Sequence, residues 1–184
     1  KDYTNAVTMK IKEPDNILFL IGNRGDELGG SVYLDLNNEL GATIPIIDFE
    51  KERNSISSIT AAINKGLVMS CHDISDGGLI TTISEMILGG NADGEIGAEI
   101  DINFSKLRND NILFGEHPGF VIEVKQEHIQ ELKSVFKFYN IELIELGKTS
   151  GSSLIINKES KNILKLPIKK LKESWTTGFK KAFN

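Results

Sequence analysis

The residues that could do chemistry are concentrated in one short stretch, Cys71-His72-Asp73-Ile74-Ser75-Asp76-Gly77-Gly78-Leu79. An apolar run, 66–69, precedes it and an amphipathic segment, 79–88, follows it, so the stretch is predicted to be a strand-to-helix turn. Such a turn can present backbone N–H groups and a helix N-terminus to an anion. Gly77 and Gly78 would let the backbone approach a ligand closely.

The side chains of this turn offer other chemistry as well. Asp73 and Asp76 could bind Mg²⁺ or accept hydrogen bonds from a ribose, and His72 could act as a base. The alternative is that Ser75 or Asp76 caps the helix, the glycines allow a tight turn and His72 is a hydrogen-bonded structural residue. The local pattern alone favours this alternative.

A second stretch, Gly25-Asp26-Glu27-Leu28-Gly29-Gly30-Ser31, is rich in glycine and charge. The N–H groups of Gly29, Gly30 and Ser31 could cradle a phosphate, although the stretch lacks the lysine and the spacing of a P-loop. The carboxylates of Asp26 and Glu27 work against an anion. Taken alone, the stretch favours an ordinary turn.

A third stretch, Leu113-Phe114-Gly115-Glu116-His117-Pro118-Gly119-Phe120, precedes a predicted strand. Glu116 and His117 could be acid–base partners or metal ligands. Adjacent residues of an extended segment point to opposite faces, however, so a shared ligand would need a bend. A loop shaped by glycine and proline is the simpler interpretation.

Alternating and helical apolar spacings predict the elements that would position these stretches. The predicted strands are 6–11, 17–21, 67–71, 98–102, 119–124, 141–146 and 153–156. Residues 32–40 fit either a strand or a short helix. The predicted helices are one capped by Ser55 and closed by Gly66, then 79–88, 127–139 and a closing helix whose core face is Ile168, Leu171, Trp175 and Phe179. Adjacent strands without an intervening helix favour a mixed sheet flanked by helices, in an α+β or layered α/β fold, within a single domain of residues 1–184.

Composition limits the classes of function. The chain has 184 residues with a net charge of −5, which argues against a nucleic-acid partner and an anionic membrane surface. Its one cysteine, Cys71, excludes an intramolecular disulfide and favours a reducing, cytoplasmic setting. Because the chain starts at Lys1 without methionine or a signal-peptide pattern, it is expected to be part of a longer protein.

Taken together, the motifs resemble one enzyme family over essentially the whole chain. Glu27-Leu28-Gly29-Gly30-Ser31, then His72 to Leu79, then Leu113-Phe114-Gly115-Glu116, then Leu171-Lys172-Glu173-Ser174-Trp175 are similar to the last domain of phosphoribosylformylglycinamidine synthase. The resemblance implies the C-terminal domain fold shared with aminoimidazole ribonucleotide synthetase, selenophosphate synthetase and thiamine-monophosphate kinase.

The resemblance also implies an activity for the longer enzyme. That enzyme is an ATP-dependent ligase that forms a C–N bond in purine biosynthesis, converting formylglycinamide ribonucleotide to formylglycinamidine ribonucleotide with glutamine-derived ammonia. ATP and Mg²⁺ belong mainly to the N-terminal type of domain, as does the catalytic histidine, so no catalytic residue or metal ligand is assigned here. The implied partners are the preceding domains of the polypeptide and a glutaminase, with a homo-oligomer left open.

One departure from the family pattern bears on this chain's own role. In the first copy of this domain the family's substrate-binding loop has the form Leu-x-Glu-Ser-Gln, whereas this chain has Phe114-Gly115-Glu116-His117-Pro118, so only the glutamate matches. This departure argues against substrate binding at the loop and fits the second copy of the domain. Because the resemblance assigns ATP and the catalytic histidine to another domain, the isolated chain is expected to be inactive, with residues 29–31 and 76–78 as candidates for phosphate or nucleotide and His72, Asp73 and Glu116 as loop candidates. The alternatives are the C-terminal domain of a related synthetase or kinase, and a stand-alone interaction module.

Overall fold

A computed structural model describes residues 3–90 and 93–182, with side chains described as far as residue 178. The described residues contain seven strands: β1 (Ile17–Ile21), β2 (Ser70–Asp73), β3 (Ala98–Asp101), β4 (Phe120–Val124), β5 (Ile144–Thr149), β6 (Ser153–Lys158) and β7 (Lys161–Pro167). They also contain six α-helices: α1 (Val32–Asp35), α2 (Phe49–Asn64), α3 (Gly78–Leu88), α4 (Asn109–Phe114), α5 (Ile129–Phe138) and α6 (Ile168–Ala182). Short 3₁₀ turns lie at Tyr3–Asn5 and Gln126–His128.

The strands form one mixed sheet in the order β2-β4-β1-β5-β3-β6-β7. Its pairs are antiparallel except for β3 and β6, which run parallel. The predicted fold class, a mixed sheet flanked by helices, is confirmed.

Helices cover both faces of this sheet, and alternate residues of the inner strand β1 therefore pack into different cores. Leu18 and Leu20 of β1 pack in a cluster with Leu79, Ile83 and Met86 of α3. Phe19 and Ile21 pack in a second cluster that contains residues of α2 and α5. The loops that follow β1, β2 and α4 are thereby brought to one region of the molecule.

Several predicted elements need correction. Residues 6–11 form no strand, because their donors are used elsewhere: the N–H of Ile11 donates to the carbonyl of Met86 in α3. The helix predicted to begin at Ser55 begins at Phe49, with Asp48 as its N-cap, and Ser55 is buried within it. Strand β7, which the sequence analysis did not predict, completes the sheet edge.

The closing helix is confirmed in position but only partly in orientation. Ile168 and Leu171 are buried, as predicted, whereas Trp175 is 46% exposed and is not a core residue. The side chain of Phe179 lies outside the described residues. Over residues 168–178, the helix therefore packs against α3 and β7 mainly through its first turn.

Candidate functional site

The turn that opens α3 is shaped by two glycines in the left-handed region. Gly77 has φ 79° and Gly78 has φ 71°, and a Cβ on Gly78 would lie 2.7 Å from the carbonyl carbon of Phe114. Only glycine permits both this conformation and this close approach. The turn therefore packs directly against the loop that follows α4.

A distant carboxylate, rather than a local side chain, caps α3. The N-cap residue is Gly77, which has no side chain to offer. Its N–H donates to Oε1 of Glu116 at 2.8 Å, so the predicted capping by Ser75 or Asp76 is wrong. Glu116, 39 residues further along the chain, thus provides the carboxylate that interacts favourably with the N-terminus of α3.

The same oxygen of Glu116 binds a second helix start. The N–H of Val32, the first residue of α1, donates to Oε1 of Glu116 at 2.9 Å. The ring of Tyr33 in α1 also stacks on Phe114 of α4, with centroids 4.5 Å apart. One glutamate thus joins the two glycine-rich turns that the sequence separates by more than 40 residues.

The N–H groups of the Gly29–Ser31 turn also donate within the chain. Gly29 donates to the carbonyl of Thr43 at 2.7 Å, Gly30 to that of Leu40 at 2.8 Å and Ser31 to that of Leu28 at 3.1 Å. A cavity of about 400 Å³ beside this turn is lined by Asp26, Glu39 and Asp110, together with Arg108, which pairs with Asp110. The electrostatic surroundings of the turn therefore oppose an anion.

The loop at 115–118 is held by side chains that the sequence analysis did not single out as site residues. Arg24 donates to the carbonyls of Gly115, His117 and Pro118 at 2.7–3.1 Å. Burial lowers the pKa of the Arg24 guanidinium to about 10, an effect that Glu52 opposes, so the group stays charged near neutrality. In the sequence, the one feature that marks Arg24 is its position directly before the charged, glycine-rich stretch at 25–31.

Glu116 and His117 do not converge on a shared ligand. His117 instead pairs with Glu27, with 2.9 Å between Nε2 and Oε2, while Glu116 reaches the two helix starts. The hydrogen bond with His117 lowers the pKa of the Glu27 carboxyl. The interpretation as a loop shaped by glycine and proline fits residues 115–119, whereas Leu113 and Phe114 belong to α4 and Phe120 begins β4.

The candidates at the end of β2 form a separate cluster. Nε2 of His72 lies 2.8 Å from Oε2 of Glu85 in α3, and Nδ1 lies 3.3 Å from Oδ1 of Asp73. Burial raises the pKa of the neighbouring Cys71 thiol to about 12, so this cysteine is not a nucleophile at neutral pH. These contacts fix β2 to α3.

A phosphate group at the α3 turn would compete with acceptors that the chain itself supplies. A phosphate on the N–H of Gly77 would have to displace Glu116, and the N–H of Gly78 donates to the carbonyl of Ser75. Among the residues that the structure describes, no group of three or more His, Cys, Asp or Glu side chains could hold a metal ion. Phosphate binding at residues 29–31 and 76–78 stays a prediction.

A larger cavity, of about 750 Å³, is lined by residues of α2 and α5 and by Gly22, the residue after β1. Its charges are balanced between lysines and carboxylates at the following positions: Lys51, Lys133, Lys137, Asp48, Glu52 and Glu142. His117 and Pro118 form part of its wall. By count, this lining favours neither an anionic nor a cationic ligand.

None of the helices within the described ranges is long and apolar enough to cross a membrane.

Residues 13–156 match the family model described as AIR synthase related protein, C-terminal domain. Over 184 residues the chain is 34% identical to phosphoribosylformylglycinamidine synthase subunit PurL from Methanothrix thermoacetophila, covering 99% of this chain and 23% of that subunit. The chain therefore spans about a quarter of the length of this curated relative.

Solved structures share the fold at lower sequence identity. PurL of Thermotoga maritima complexed with FGAR superposes with a TM-score of 0.75 and 16% identity over 92% of this chain and 30% of that chain. PurLQS from the same organism gives 0.74 and 16% over 94% and 28%, and other structures of that PurL are complexes with ATP and ADP. Thiamine-monophosphate kinase from Stenotrophomonas maltophilia K279a gives 0.57 and 14% over 88% of this chain and 55% of that chain.

Proposed function

The chain belongs to the family of AIR synthase related proteins, C-terminal domain, and we propose that it is the C-terminal domain of a PurL-type phosphoribosylformylglycinamidine synthase. The observation that carries this proposal is the 34% identity to a PurL subunit along 99% of the chain. The kinase named above shares the fold with a lower TM-score than PurL does. Sequence and fold therefore favour the synthetase over the kinase and over a stand-alone interaction module.

The complete enzyme is proposed to convert formylglycinamide ribonucleotide to formylglycinamidine ribonucleotide in de novo purine biosynthesis. In the complete enzyme, ATP would transfer its γ-phosphoryl group to the amide oxygen and leave as ADP, and Mg²⁺ would neutralise the phosphate charge. Ammonia from glutamine would then displace the phosphorylated oxygen, which would leave as inorganic phosphate. We assign ATP and Mg²⁺ to the complete enzyme, in the cytoplasm, with a glutaminase as the ammonia source.

The role of this chain is to supply a rigid framework rather than reacting groups. Glu116 holds the starts of α1 and α3 together, and Arg24 fixes the loop that carries Glu116. The rest of the synthetase would hold the catalytic groups and would dock on this framework. The isolated chain is accordingly proposed to be inactive.

A domain exchange tests the proposed function. The matching quarter of the Methanothrix thermoacetophila subunit is replaced by this chain, and formation of formylglycinamidine ribonucleotide is measured with ATP, Mg²⁺ and ammonia. We expect the chimera to be active and the same subunit lacking the matching quarter to be inactive. A chimera that folds but forms no product contradicts the proposal.

A further inference from the structure

The charges of the larger cavity are balanced in number, but its three lysines have no partner in the described part of the chain. Lys51 lies in the first turn of α2, and Lys133 and Lys137 lie on α5; all three line the cavity. None of their ammonium groups makes a hydrogen bond or an ion pair with a described residue. The same two helices do form an ion pair elsewhere, since Lys65, directly after α2, contacts Glu131 of α5 at 2.7 Å. The absence of pairing is therefore particular to the cavity.

Two of these lysines are placed where they repel each other. Lys133 and Lys137 are four residues apart on α5, the spacing at which like charges are neighbours on a helix and destabilise it. Both also line the same cavity. An anion bound between them would remove this repulsion, so the arrangement favours an anionic ligand.

The carboxylates of the cavity are less available than its lysines. Asp48 is the N-cap of α2, and its Oδ1 accepts two N–H groups of the first turn at 3.1 Å, so the helix N-terminus offsets its charge. Burial raises the pKa of the Glu52 carboxyl, and the guanidinium of Arg24 counters its charge. Within the described ranges, Glu142 is the one carboxylate of the lining without either kind of partner. Three free positive charges thus face one free negative charge.

A buried hydroxyl adds a directional contact to the cavity. Ser55 of α2 is 4% exposed and lies in the cavity wall. Its carbonyl accepts the hydroxyl of Ser58 at 2.8 Å, whereas its own hydroxyl has no hydrogen-bond partner among the described residues. A buried polar group without a partner costs free energy. A ligand oxygen in the cavity would supply the missing partner.

Size and charge define the class of ligand. The volume of about 750 Å³ lies within the range of small-molecule sites, roughly 300–1,000 Å³. The excess of two positive charges suits a phosphomonoester, which carries about −1.5 to −2 charges at neutral pH, better than it suits a singly charged carboxylate. Apolar side chains form another part of the wall, where they could contact the organic part of such a ligand: Pro118, Phe136, Ile141, Leu143 and Ile144.

We infer that this cavity binds a small organic phosphate. Lys51, Lys133 and Lys137 surround the phosphate group, the Ser55 hydroxyl donates to it, and the apolar wall contacts the organic part. The inference goes beyond the proposed function and does not depend on it, since it uses only contacts within this chain. It concerns a site separate from the turns at 29–31 and 76–78, whose residues do not line this cavity.

The test titrates the 184-residue chain with phenyl phosphate, a phosphomonoester with an apolar ring, and follows backbone amide shifts by NMR. K133Q/K137Q removes two lysines of the cavity, and K169Q/K170Q removes two exposed lysines of α6, outside it. Because both double variants change the net charge equally, a difference between them cannot come from overall charge. S55A removes the buried hydroxyl alone. All three variants are expected to unfold at the temperature of the wild type.

Wild type and K169Q/K170Q are expected to bind phenyl phosphate with equal Kd, K133Q/K137Q at least about tenfold more weakly and S55A about threefold more weakly. Absence of saturable binding by the wild type, or equal Kd for the two double variants, would overturn the inference. Benzoate that binds the wild type as tightly as phenyl phosphate would overturn the assignment to phosphate. Inorganic phosphate that binds as tightly would overturn the role of the apolar wall.

Discussion

At the scale of single residues, Glu116 explains how two glycine-rich turns far apart in sequence form one unit. Its Oε1 accepts the N–H groups of Gly77 and Val32, which open α3 and α1. A carboxylate at a helix N-terminus satisfies an otherwise unpaired donor and interacts favourably with the helix dipole. A phosphate placed on the same donor would compete with a group that is already bound within the chain.

We expect Glu116→Ala to lower the free energy of unfolding by about 1–2 kcal/mol, because two donors lose their acceptor. Glu116→Gln keeps an acceptor oxygen at the same place and should lose about half as much. Urea unfolding at neutral pH measures both variants. A change below about 0.3 kcal/mol in Glu116→Ala would show that the two turns do not depend on this carboxylate.

The pair formed by Glu27 and His117 predicts a dependence on pH. The hydrogen bond with His117 lowers the pKa of the Glu27 carboxyl below its ordinary value of 4.5. A carboxyl with a lowered folded-state pKa stabilises the fold above its unfolded pKa, and this contribution is lost as the pH falls through the folded pKa. Glu27→Gln should therefore be less stable than the wild type near neutrality, and the difference should vanish in acid.

Thermal unfolding of the wild type and Glu27→Gln across the acid range checks this expectation, with Glu142→Gln as a control at an exposed carboxylate. A stability difference that stays constant down to about pH 3 would mean that the pair has no linkage to proton binding.

At the scale of elements, the turn before α3 is a contact between backbones. Gly78→Ala would place a methyl group within 2.8 Å of the backbone of residues 113–115, in addition to the cost of a left-handed residue. We expect a loss of at least about 3 kcal/mol for Gly78→Ala, against about 1 kcal/mol for the left-handed conformation alone.

Gly30→Ala supplies the matched control for that comparison, because Gly30 has φ 73° and no atom within 4 Å of its built Cβ. The two variants separate conformational strain from steric overlap in a single set of urea unfolding curves. Equal losses in the two variants would rule out a tight contact between the turn and the loop after α4.

A buried glutamate on β4 attaches the N-terminal segment to the sheet. Glu123 is fully buried and accepts hydrogen bonds from the N–H groups of Lys12 and Glu13, from Asn16 Nδ2 and from Ser70 Oγ. Glu123→Ala leaves these donors unpaired and opens a cavity, so we expect a loss of more than about 3 kcal/mol. Glu123→Gln should lose less, since it keeps one acceptor; a loss below about 1 kcal/mol in Glu123→Ala would contradict this account.

Glu123 also illustrates what the sequence could predict and what it could not. Strand β1 and helix α3 follow from local spacing and turn chemistry, and the structure contains them. Residues 6–11 have the alternation of a strand, yet their neighbour Lys12 donates to Glu123, 111 residues away, rather than to a strand. No local pattern reveals such a long-range acceptor.

In the candidate site, too, the local features could be predicted from the sequence and the long-range contacts could not. The sequence located the two turns and the loop at 115–118, because glycines and carboxylates mark them. It did not reveal that Glu116 connects all three, since the residues lie 39 and 84 positions from their partners. The cap of α3 was misassigned for that reason.

At the scale of the whole molecule, the chain combines a well-buried three-layer interior with large apolar side chains that are exposed at residues 36–49. A framework whose glycine-rich turns are satisfied within the chain is suited to support a catalytic partner. This combination is the central claim of the proposed function.

The most direct measurement is formation of formylglycinamidine ribonucleotide by this chain, by the polypeptide encoded upstream of it, and by the two mixed, each supplied with substrate, ATP, Mg²⁺ and ammonia. We predict no product from either part alone and product from the mixture. Turnover by the purified chain alone would contradict the account, as would a mixture that binds but forms no product.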